Sequence, residues 1–189
     1  MARPREFDID AAVTRAMGVF WTYGYDGTTT DQLLQGMQLT RGSLYKAFGD
    51  KKQLFLKSLD LYDQSEVDKA ALALRSPEMP GTERIRQLFS SIADTVEAGN
   101  RMGCLLCTTL SGLSSSDPDL ASRTLVSVEK LRSGFEAALT DTDKDAYPPD
   151  YAQLLLTQYV GLRMLSRAPV RASVIRESVD AVSALLERG

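Results

Sequence analysis

Between Thr29 and Asp50 the chain starts a helix three times over, and that spacing leaves room for very few folds. Thr29 with Gln32 and Asp50 with Gln53 each fit a capping box, in which the side-chain oxygen before a helix accepts from a backbone N–H one turn in; Thr40 is a further N-cap. Gly49 stops what Thr40 starts. The helices opened by Thr29 and Thr40 can therefore run only to about Met37 and Phe48, separated by a tight turn at Gln38 and Leu39. Upstream, Val13, Met17, Phe20 and Trp21 recur at helical spacing until Gly24 supplies a stop. Downstream, Leu54, Phe55, Leu59 and Tyr62 form one stripe of a longer helix that continues to about Leu74. A helix, a short helix, a tight turn and a second short helix make the helix-turn-helix plan.

Composition narrows the class further. With 189 residues, 43% hydrophobic and 25% charged, the chain reads as globular, and a small N-terminal unit (1–52) joined to a larger one (53–189) is the expected division. No apolar run approaches the roughly 20 residues of a membrane helix, and MARPREFD lacks the apolar core of a signal peptide, so a cytoplasmic protein is expected. There is no histidine, which removes the Ser-His-Asp and Cys-His arrangements that activate most nucleophiles. GxGxxG, GxxxxGK[ST] and GxSxG are absent as well. Cys104 and Cys107 form a CxxC without the second pair a four-thiolate zinc site requires, so neither a metal nor a cofactor is expected. A helical enzyme using Cys104 as nucleophile would lack its base, and the chain is read as a binding protein.

The polar residues of the first unit suggest what it binds. Arg3, Arg5, Arg15, Arg41, Lys46, Lys51 and Lys52 slightly outnumber the acidic residues up to Lys52, within a chain of net charge −3. Arg41, Gly42 and Ser43 fall in the first turn of the second short helix, the end that a recognition helix presents to the major groove, where arginine bonds guanine edges bidentately. Glycine there costs about 0.8–1 kcal/mol against alanine and suits a position that something must approach closely. Lys46 and the Tyr45 hydroxyl are placed to grip backbone phosphates, and the helix start at Lys51 and Lys52 offers a further anion contact. The alternative is a solvated face on a helical module that binds a protein partner; phosphate contacts would weaken steeply with salt, an apolar helix interface would not.

The segment GYDGTTTDQLLQGMQLTRGSLYKAFGDKKQLF resembles the DNA-binding signature of the TetR family of bacterial transcriptional regulators: a Gly-aromatic, a Thr pair, two short helices, then small–Leu-Tyr-x-x-Phe and Lys-x-x-Leu. The likeness spans roughly residues 8–60. It implies an all-α fold of about nine helices, with an N-terminal helix-turn-helix DNA-binding domain and a C-terminal helical domain for ligand binding and dimerisation. It also implies a homodimer on a near-palindromic double-stranded operator, and repression released by a small molecule. By the same resemblance Thr29, Thr40, Tyr45, Lys46 and Lys51 match phosphate-contacting positions and Gln38, Arg41, Gly42 and Ser43 those that face bases or the groove. Arg3 and Arg5 look like an arm laid along DNA. Gln38 stands where the family usually has glycine, so it must either accept a positive φ or close the turn differently.

Beyond Leu74, Pro and Gly punctuation separates helices expected near 82–98, 104–114, 118–139, 150–167 and 171–188, with Asp117 and Asp150 as N-caps. The last two helices are the expected dimer interface, through Leu154, Gln158, Gly161, Leu162 and Leu165 on one and Ile175, Val179, Val182, Leu185 and Leu186 on the other, with part of each stripe also covering the subunit's own core. An effector pocket is expected among Phe89, Ile92, Val96, Met102, Cys104, Cys107, Thr108, Leu110, Val128, Tyr151, Leu155 and Tyr159, most of them packing as core. None of these is charged, which favours an uncharged or weakly polar effector. GCLLCTT places two thiols on one helix face, where they act either as a reactive pair or as small buried hydrophobes.

Overall fold

The computed structural model describes residues 7–112, 116–142, 147, 148 and 150–187; Arg3 and Arg5 lie outside them. Among the described residues there are nine helices and no strand. They are α1 (Ile9–Gly27), α2 (Thr30–Met37), α3 (Arg41–Phe48), α4, α5 (Gly81–Glu97), α6 (Leu105–Ser111), α7 (Pro118–Thr140), α8 (Tyr151–Leu165) and α9 (Ala172–Leu186). Helix α4 is composite: Lys51–Tyr62, a π-helical turn at Asp63–Val67, and Asp68–Arg75.

The caps form as the sequence requires. Thr29 and Gln32 close a reciprocal capping box on α2, Thr40 accepts from the Ser43 N–H at 3.2 Å, and Asp50 accepts from the Gln53 N–H at 2.7 Å. Gly24 (φ 74°, ψ 169°) interrupts α1, a conformation costly for a side chain, and the last turn runs on beyond it. Leu33 and Met37 from α2, and Leu44 and Phe48 from α3, bury one side of each short helix. At about 1.5–3 kcal/mol per buried side chain, these anchors rather than helix propensity hold such short segments. They pack under an aromatic group in which Phe20 and Tyr25 each lie 4.8 Å from the Phe55 ring.

Helix α4 connects this unit to the rest along a polar seam with α7. Lys52 Nζ lies 2.9 Å from Asp117 and 2.6 Å from Asp119, Asp60 pairs with Arg123, and Lys130 pairs with Asp63 and Asp68. Lys52 is thus paired within the chain. The buried Arg84 donates to the Leu74 carbonyl at 2.8 Å, satisfying an acceptor at the end of α4, and pairs with Asp141. Phe89, Phe135 and Tyr159 form the aromatic centre of the C-terminal half.

Two expectations for this half need correction, and the apolar stripes of the last two helices divide between core and surface. Asp117 caps α7 with Pro118 as its first residue, but the Asp150 side chain makes no cap bond; its backbone (φ −87°, ψ 4°) is already nearly helical, which turns the carboxylate away from the free N–H groups. Helix α6 ends at Ser111, short of the expected 114, and residues 113–115 lie outside those described. The α9 stripe of Ile175, Val179, Val182 and Leu186, together with Leu162 of α8, faces the chain's own core. From the same stripes Leu154, Leu165 and Leu185 face outward, each 41–44% exposed, as does Met164 at 44%.

Candidate nucleic-acid interface and effector cavity

The first turn of α3 stands open. Leu44 and Phe48 fasten the helix from beneath, so Arg41, Gly42, Tyr45 and Lys46 face solvent, with Ser43 half-buried beside them. A Cβ added at Gly42 would meet nothing within 4 Å, so nothing within the chain requires glycine there. Gln38 adopts the left-handed conformation (φ 57°, ψ 43°), resolving the two alternatives for the turn: it holds the position usually given to glycine without changing the turn's closure. Its N–H closes α2 onto the Gln35 and Leu34 carbonyls. Arg41 Nη2 sits 3.0 Å from Asp31 of α2, an exposed pair. Lys51 lies 4.6 Å over the Tyr25 ring, and partial burial lowers its pKa from the ordinary lysine value.

Of the residues expected to line an effector pocket, Ile92 and Val96 border a cavity at the joint between the two halves. It holds about 180 Å³ and is completed by Trp21, Glu66, Thr95, Asn100, Gly103, Arg163 and Ser166. Phe89, Leu155 and Tyr159 are sealed in the core, and Val128 packs against it. Leu110 is half-buried, and Thr108 donates to the Cys104 carbonyl at 3.0 Å. Tyr151 stacks on Tyr147 with its hydroxyl toward the Leu185 carbonyl. Met102 takes part through its backbone, as described below. Two charged residues, Arg163 and Glu66, border this cavity, unlike the uncharged lining expected. Arg163 had a sequence signal: it follows Tyr159 by one helical turn, on the stripe that α8 buries.

Cys104 and Cys107 are both free and buried behind Gly103. A hydrogen bond from the Cys107 thiol outweighs burial and, with Arg163 and the Tyr62 hydroxyl nearby, brings Cys104 down to about 6. The same bond and burial push Cys107 up. The pair releases one proton readily and holds the second.

The cavity wall is also the joint between the two halves. The Trp21 indole donates to the Met102 carbonyl at 3.0 Å, and its ring meets Tyr62 edge-on at 4.9 Å. Arg167, one turn beyond Arg163, donates to the same Met102 carbonyl (2.7 Å) and to the carbonyls of Trp21 (2.7 Å) and Thr22 (3.0 Å).

A capped helix-turn-helix on a helical body with a polar cavity at the joint is the architecture the chain presents. The family model described as "Bacterial regulatory proteins, tetR family" matches residues 12–57, so the helix-turn-helix segment is similar to that of the TetR family of transcriptional regulators. An HTH-type transcriptional regulator of Bacillus subtilis (strain 168), YezE, is 33% identical over 124 residues, 64% of this chain and 62% of that protein. The HTH-type transcriptional repressor ComR of Escherichia coli (strain K12) is 33% identical over 58% of this chain and 54% of its own length. The chain thus spans little more than half of these relatives. Among solved structures, a cysteine-substituted TetR family regulator, CifR, complexed with 26-bp double-strand operator DNA superposes with a TM-score of 0.80 at 26% identity, covering 97% of this chain and 98% of that one. Reduced E. coli NemR has the same fold, with a TM-score of 0.80 at 16% identity over 92% of this chain and 93% of its own. Among the described residues no helix is long and apolar enough to cross a membrane.

Proposed function

We propose that the protein is a homodimeric repressor that binds a near-palindromic double-stranded operator and is released by a small molecule. The observation that carries this reading is the open first turn of α3, where Gly42 is bare for no internal reason beside an exposed Arg41. Residues 1–52 form the DNA-binding unit, its core completed by Leu54 and Phe55 of α4, and 53–189 the effector and dimer body. Gln38, Arg41, Gly42 and Ser43 face bases or the groove, Thr29, Thr40, Tyr45, Lys46 and Lys51 hold phosphates, and Arg3 and Arg5 supply an arm. Helix N-termini capped by Thr29 and Thr40 favour phosphate through their dipoles. The outward leucines of α8 and α9 form the dimer face. Such a dimer sets its recognition helices about 34–36 Å apart, one turn of DNA.

Selection of bound fragments from a genomic pool, followed by titration at increasing salt, tests this. Affinity should fall linearly with salt on logarithmic axes, because each phosphate contact releases counterions. Binding of a protein with no salt dependence, and of no duplex at low ionic strength, would replace DNA by a protein partner.

A further inference from the structure

We propose that the cavity beside Trp21 is the effector site and takes a small carboxylate that also carries a hydrogen-bond donor, an α-hydroxy or α-amino acid. The carboxylate sits on Arg163 and the donor on Glu66. This rests on the reading above that a small molecule releases the protein from its operator.

Arg163 is a largely buried cation with incomplete partners. Its Nη2 donates to the Gly103 carbonyl (2.6 Å) and lies 3.4 Å from the Tyr62 hydroxyl, while its buried Nε has no hydrogen-bond partner. Among the described residues no carboxylate lies within ion-pair distance of it. The Cys104 thiol nearby can offset its charge but not fill its unpartnered Nε, and the planar fork matches a carboxylate. Cys104 does not border the cavity and leaves Nε unpartnered.

Glu66, at an exposed position on the rim, lines the same cavity without pairing to Arg163, so a cation and an anion border one space without neutralising each other. A molecule that is acid at one end and donor at the other satisfies both. A volume of about 180 Å³ matches roughly six water molecules, a ligand of about that many non-hydrogen atoms. Ile92, Val96 and the Trp21 ring supply an apolar wall for its short carbon chain.

The position explains how occupancy would reach DNA. Trp21 belongs to the helix that carries the recognition unit, and Arg167 binds the Trp21, Thr22 and Met102 carbonyls together. A ligand that displaces the Trp21 ring or the 100–103 segment changes how α1 is held.

Trp21 is the single tryptophan, so its emission reports the site directly. The full chain would be titrated with L-lactate, L-serine, acetate and ethanolamine, and operator affinity measured alongside. Lactate and serine should give saturable emission changes and weaken operator binding. Acetate should bind at least about tenfold more weakly and ethanolamine not at all. Arg163→Lys should weaken lactate by about tenfold or more, since an ammonium lacks the fork; Glu66→Gln, at an exposed position, should weaken serine more than lactate. No emission change with any probe, or an equal response to ethanolamine and lactate, overturns the proposal. These wild-type comparisons decide it even if Arg163→Lys fails to fold. Duplex binding by a sample that ignores all four probes would sink this site alone, whereas probe binding without duplex binding would sink the repressor reading and leave the site standing.

Discussion

Arg41 reaches the first turn of α3 already engaged, with the Asp31 carboxylate in place of a base or phosphate. Exposed pairs of this kind are worth about 0.2–1 kcal/mol, small beside a bidentate contact to guanine at about 1–3 kcal/mol, so DNA can take the guanidinium over. Arg41→Ala should therefore cost about 1–3 kcal/mol of operator affinity and relax base preference at one position per half-site, measured by anisotropy with variant duplexes. Undiminished preference would remove Arg41 from the groove. Gln38 pays the strain of a left-handed backbone, about 1 kcal/mol. Gln38→Gly should raise the melting temperature by about 2–4 °C, and a simultaneous loss of sequence preference would mark the glutamine as a base reader. The strain was legible in the sequence because a tight turn leaves few backbone choices. The Asp31 partner was not, because it depends on how α2 and α3 pack.

At the scale of elements, the starts at Thr29, Thr40, Asp50 and Asp117 were readable because each cap is an interaction between residues two to three apart. The α9 stripe was readable as apolar and partly core-covering, but not which residues turn inward, since periodicity gives a face and not its partner. The cavity beside Trp21 was not readable from the sequence for the same reason: Trp21, Glu66 and Arg163 come from distant segments that only the fold unites. The element opening at Cys104 carries its own test. Cys104 ionises near 6 when folded and about 8.5 when unfolded, so between those values the unfolded chain binds the extra proton and stability rises with pH. Cys107, shifted upward, has the opposite effect above about 8.5. Urea midpoints should climb from pH 6 toward 8.5 in the wild type and stay level in Cys104→Ser, with thiolate absorbance showing one ionised thiol of the two. A level wild-type profile would remove the thiolate.

For the whole molecule, the outward residues Leu154, Leu165 and Leu185 should lie between two copies. Sedimentation should report a dimer for the wild type and a monomer for Leu165→Glu, and the monomer should bind a full operator far more weakly, having lost the second half-site. A monomeric wild type would end the two-fold reading. The π-helical turn at Asp63–Val67 bears on the same geometry. Helix α4 meets α1 at one end and α7 at both, and its widened turn sets the angular phase between those faces. Each residue of a regular helix advances about 100° around the axis. Excising a single residue from Asp63–Val67 would reset that dial by about a quarter turn, leaving both ends well formed and each aimed away from its neighbours.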